Sequence, residues 1–86
     1  MSTIKLTTPI QEGKIKEITL RAPKLKDLRK HGLPFDKDGQ IDFDKAGPLL
    51  ESLSGVPLPF LDDLEMKDSL LLIAELATFI GDDSGN

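Results

Sequence analysis

The residues best equipped for chemistry lie in FDKDGQIDFDK, Phe35 to Lys45, where four aspartates alternate with other residues around one glycine. That spacing suggests a calcium loop, which takes oxygen ligands at positions 1, 3, 5, 7, 9 and 12, with glycine at 6 and a bidentate glutamate at 12. With Gly39 at position 6, Asp36 falls at 3, Asp38 at 5 and Asp42 at 9. The ends break the pattern, because position 1 is Pro34 and position 12 is Lys45, a cation where the bidentate carboxylate belongs. The stretch is therefore expected to be a tight turn, with Asp38-Gly39 supplying the left-handed step and Asp42 capping the next helix. No metal or other cofactor is expected.

Other reactive side chains are few. His31 is the one histidine and stands beside Gly32, without a serine or cysteine nucleophile near it in sequence, so it is expected to be a capping or surface residue. Asp62 and Asp63 are adjacent and read as solubilising charge. There is no glycine-rich phosphate loop and no histidine or cysteine cluster, and no catalytic residue is expected.

These side chains belong to an 86-residue chain of net charge −4, without cysteine, whose start, MSTIKLTT, lacks the apolar core of a signal peptide. A single small domain in the cytoplasm is expected. The longest apolar run, LLLIAELATFI, is far below the roughly 20 residues a membrane helix needs, so no membrane association is expected. The charge is unevenly spread. Residues 1–32 carry eight Lys or Arg against three acids, a balance of +5, and residues 33–86 carry three against twelve, a balance of −9. The two parts should attract each other, or the same parts of neighbouring copies.

Ile4, Leu6 and Ile10, then Glu12-Gly13, then Ile15, Ile18 and Leu20 predict a β-hairpin. Ile15 and Ile18 differ in parity, so a bulge or a shorter second strand is expected. Pro23 opens a short helix with Leu25 and Leu28 inward, stopped by Gly32. Its Lys24, Lys26, Arg29 and Lys30 offer the alternative function, a small nucleic-acid-binding regulator using residues 24–31. The lack of interleaved aromatics and the acidic total weigh against nucleic acid.

Phe43, Ala46, Leu49, Leu50 and Leu53 predict a second helix, irregular in its first turn at Gly47-Pro48 and ended by Ser54-Gly55. Pro57 and Pro59 predict a short helical elbow through Leu64. In the last helix, Met66 to Ile80, the stripe Met66, Leu70, Ile73, Ala77 and Ile80 is expected to dock on the core. Asp68, Glu75 and Thr78 mark the opposite face, and Leu71, Leu72 and Phe79 lie close to it. A surface helix does not need them there, so these three are the expected partner-binding residues. The fold expected is α+β, an N-terminal hairpin followed by three to four short helices in one domain over residues 1–81, with a disordered tail at 82–86.

The succession IKLTTPIQEGKIKEITLRAP, KLKDLRK, GLPFDKDGQIDFD, LLESLSGVPLPFLDDL and MKDSLLLIAEL resembles the Mu-like phage tail assembly chaperones of contractile-tailed phages and prophages. The resemblance runs from about Ile4 to Gly81. It implies a non-catalytic morphogenesis factor in the host cytoplasm, absent from the finished virion. Such a factor binds the long tape measure protein and assists assembly of the tail tube, with the tail tube protein and a second copy of the chain as further candidate partners.

Overall fold

The computed structural model describes residues 2–81; the tail expected at 82–86 lies outside them. Strands β1 (Ser2–Ile10) and β2 (Ile15–Leu20) form the antiparallel hairpin. Gln11 and Glu12, at φ 57° and 59°, lie in the left-handed region and help reverse the chain. Pairing runs regularly from Ser2 opposite Leu20 to Lys5 opposite Glu17, and then jumps to Ile10 opposite Ile15. Residues 6–9 thus face Lys16 alone: the second strand is the shorter one, and the surplus sits as a bulge in β1.

That bulge frees the backbone N–H groups of Thr7 and Thr8, which must find acceptors. Asp68 supplies them from the last helix. Its Oδ1 accepts from the Thr7 N–H at 3.0 Å and the Thr7 hydroxyl at 2.9 Å, and its Oδ2 accepts from the Thr8 N–H at 3.1 Å. The carboxylate is fully buried. The Thr7 N–H above all, aided by the Thr8 N–H and the Thr7 hydroxyl, holds its pKa below the ordinary value against the cost of burial.

The helices are α1 (Leu25–His31), α2 (Phe43–Ser54), α3 (Leu58–Leu61) and α4 (Met66–Gly81). The expected fold class, α+β with one hairpin and a run of helices, is the observed one. Helix α4 packs on β1, α2 packs on β2, and α1 and α3 lie against α2. Leu6, Ile10, Ile18 and Leu20 of the hairpin meet Leu49, Leu50 and Leu53 of α2 and Leu72, Ile73 and Leu76 of α4 in one core.

Helix α1 is anchored by charge. Asp27 is buried, receives both terminal nitrogens of Arg21 at 2.9 and 3.0 Å, and accepts from the Lys24 N–H at 2.8 Å. The Arg21 hydrogen bonds come first, and then that of Lys24, in holding the Asp27 carboxyl well below the usual carboxylate range. This anchor turns the Asp27–Leu28 side of α1 inward. Leu25, expected inward, is instead 72% exposed, while Leu28 is half-buried.

The Phe35–Lys45 stretch forms the expected turn. Asp36 Oδ1 accepts from the N–H groups of Asp38 and Gln40, Gly39 takes φ 82°, and Phe35 bridges Ile41. Asp42 caps α2 through the Asp44 N–H at 3.0 Å. Helix α2 continues through Pro48 to its C-cap Gly55. Gly47 has a packing reason: a Cβ there would stand 3.1 Å from Leu58 Cδ1 of α3. Glu51 Oε2 fastens the same junction by accepting from the Leu58 N–H at 2.7 Å.

Both shifted carboxyls lie below their ordinary 3.8 in the folded chain, so the unfolded chain binds more protons in acid. Their stabilisation is complete above the ordinary carboxylate range and is lost as pH falls below about 4. The urea midpoint should drop between about pH 5 and pH 2. Asp27→Asn with Asp68→Asn should lower the neutral-pH midpoint and flatten that dependence, read by circular dichroism across the series.

Candidate interaction surface

Helix α4 settles where the expected contact residues lie. Its buried side chains are Asp68, Leu72, Ile73 and Leu76, and Leu72 is 0% exposed. The outward side carries Lys67, Leu70, Leu71, Ala74 and Thr78. The helix is therefore rolled about a quarter turn from the orientation expected of the stripe Met66–Leu70–Ile73–Ala77–Ile80. The cause is Asp68, which is drawn inward to the β1 bulge where a solvent-facing carboxylate was expected. Glu75 turns the same way and accepts from the Ser2 hydroxyl at 2.6 Å.

The three expected partner-binding residues thus separate. Leu71 is exposed at 45%, Phe79 is half-buried against the core, and Leu72 is a core residue. The exposed position expected of Leu72 is corrected on this ground: its side chain is enclosed in the core of the folded chain. Met66 and Leu70, assigned to the docking stripe, are 61% and 43% exposed.

The exposed apolar side chains gather elsewhere as well. Between α2, α3 and the start of α4 lies a cleft of about 180 Å³, lined mainly by apolar side chains that include Phe43, Leu50, Leu58, Leu64, Met66 and Ile73. Phe43, half exposed, also borders a second cleft of about 570 Å³ with Leu33, Asp36, Asp42, Asp44 and Lys45. Sequence periodicity places Phe43 in the α2 core stripe, but as the first residue of the helix it stands at the rim, half exposed. The acidic residues around both clefts are exposed; Asp62 lines the first.

The remaining reactive groups stay apart. Among the described residues no three His, Asp or Glu side chains converge on a metal-sized site. His31 is half-buried with its Nε2 enclosed and without a hydrogen-bond partner, so it packs where a capping or surface role was expected. Among the described residues no helix is long and apolar enough to cross a membrane.

Comparison with protein families places the chain itself. The family model described as "Phage tail assembly chaperone proteins, E, or 41 or 14" matches residues 3–81, nearly the whole described chain. The chain belongs to this family. No curated protein and no solved structure matches it. The matched span takes in both strands and all four helices, so the chaperone's hairpin, clefts and α4 are parts of one family unit.

The correction on α4 is open to measurement. Leu72→Ala should cost about 2–5 kcal/mol in urea unfolding, as for a fully enclosed leucine. Leu71→Ala should stay within about 0.5 kcal/mol of wild type.

Proposed function

We propose that this chaperone binds the tape measure protein and covers its apolar helical stripe until the tail tube encloses it. The observation that carries the reading is the apolar cleft between α2, α3 and α4, with Phe43 and Met66 exposed at its rim and Leu70 and Leu71 on the adjoining side of α4. A monomer has no use for so much uncovered apolar side chain in one region, whereas an amphipathic helix laid in a groove needs such a row of anchors.

The chaperone acts in the host cytoplasm, without catalysis, by exchanging its own exposed leucines, phenylalanine and methionine for those of the client. Tail tube subunits then displace it as they close round the tape measure protein, and it is left out of the virion. Membership of a tail assembly family supports this setting. The nucleic-acid alternative has less behind it: the basic side chains of α1 surround an exposed leucine and no aromatic residue.

Co-expression with the tape measure protein of the same gene cluster should keep the client soluble and yield a co-purifying complex. Phe43→Asp with Met66→Asp should abolish that complex while leaving the circular dichroism and urea midpoint nearly unchanged. Equal aggregation of the client with and without the wild-type chaperone would contradict the reading.

A further inference from the structure

The uneven charge of the chain is not neutralised within one copy. Among the described residues the ion pair formed is Arg21–Asp27, inside the basic first 32 residues; none joins that segment to the acidic remainder. Attraction between the two parts is thus left for another molecule, and the chain carries both halves of a matching contact.

One half is the outer side of α1. Leu25 is 72% exposed and shares that side with Arg29 one turn on, with Lys24 and Lys26 exposed on either flank. The other half is the 570 Å³ cleft at the start of α2. Its exposed Leu33 and Phe43 offer apolar wall, and three carboxylates, Asp36, Asp42 and Asp44, stand against the single ammonium of Lys45. A leucine ringed by cations fits an apolar cleft ringed by anions.

We infer that α1 of one copy docks in the Leu33–Phe43 cleft of the next, Leu25 entering the cleft and Lys24, Lys26 and Arg29 meeting its carboxylates. The two surfaces differ, so the contact is head-to-tail and leaves each assembly a free α1 at one end and a free cleft at the other until a ring closes. One helical turn is a small contact, well below the area of a stable dimer, so the association is weak and rises with concentration. Its charged rim makes it sensitive to salt, since the screening length shrinks from about 10 Å at 0.1 M to about 3 Å at 1 M.

The test uses the chaperone alone, so its outcome is independent of the client. Sedimentation equilibrium of the wild type at low salt should show mass growing with concentration, reverting to monomer in 1 M salt. Leu25→Glu with Arg29→Glu removes one half; Leu33→Ser with Asp44→Lys removes the other. All four positions are exposed, and an unchanged urea midpoint checks the fold; the single changes Arg29→Glu and Asp44→Lys serve if a double variant unfolds. Each variant alone should be monomeric, with association weakened about tenfold or more. Their mixture should form a dimer and grow no further, because one partner retains α1 and the other the cleft. A wild type that is monomeric under all conditions, variants that associate as the wild type does, or a mixture that stays monomeric would each overturn the inference.

Discussion

A strand with surplus residues must give its unpaired N–H groups to an acceptor, and here that acceptor is the side chain of Asp68, sixty residues away in sequence. Because the carboxylate has to face the β1 bulge, the roll of α4 is decided before its leucines are placed. Leu72 and Leu76 then fall into the core, and Leu70 and Leu71 fall outside it. Asp27 does the same for α1, where its grip on Arg21 and the Lys24 N–H brings Leu28 in and leaves Leu25 out. In both helices a buried carboxylate, and not the apolar pattern, sets which leucines remain free for other molecules.

This use of acids suits so small a chain. Eighty-six residues bury a limited apolar core, and a helix that is apolar on most sides can dock in several rotations of similar energy. A carboxylate satisfied by two backbone N–H groups in one geometry separates those rotations, since misalignment would leave a buried charge unpaired. The Arg21–Asp27 pair adds the same constraint at the other end of the hairpin, where the Arg21 N–H also reaches the Leu53 carbonyl of α2. Apolar side chains at the cleft can then stay uncovered without shifting the fold towards a closed alternative.

The hairpin, the tight turn, the Asp42 cap, the Gly55 stop and the proline elbow were legible because each rests on neighbouring residues. Alternation of Ile4 and Leu6, the Asp38-Gly39 step and the spacing of Leu49, Leu50 and Leu53 are local signals. The rolls of α1 and α4 were not legible, since they depend on donors that come near only after folding. Thr7-Thr8 ahead of Pro9 was a faint sign of the bulge; nothing in the sequence pointed from it to Asp68. For the same reason the apolar pattern points Leu72 outward and Met66 and Leu70 into the core, whereas the fold buries Leu72 and leaves Met66 and Leu70 exposed.

The central claim, that Asp68 sets the roll of α4 and thereby the chaperone's exposed side, can be read directly because the chain has no cysteine. Single changes Leu70→Cys, Leu71→Cys, Leu72→Cys and Leu76→Cys would each be labelled with a thiol reagent under native conditions and their rates compared. Fast labelling at 70 and 71 with strong protection at 72 and 76 is the result this account predicts. Fast labelling at 72 with protection at 70 would show the helix docked by its Met66–Leu70–Ala77 stripe instead, and would contradict it.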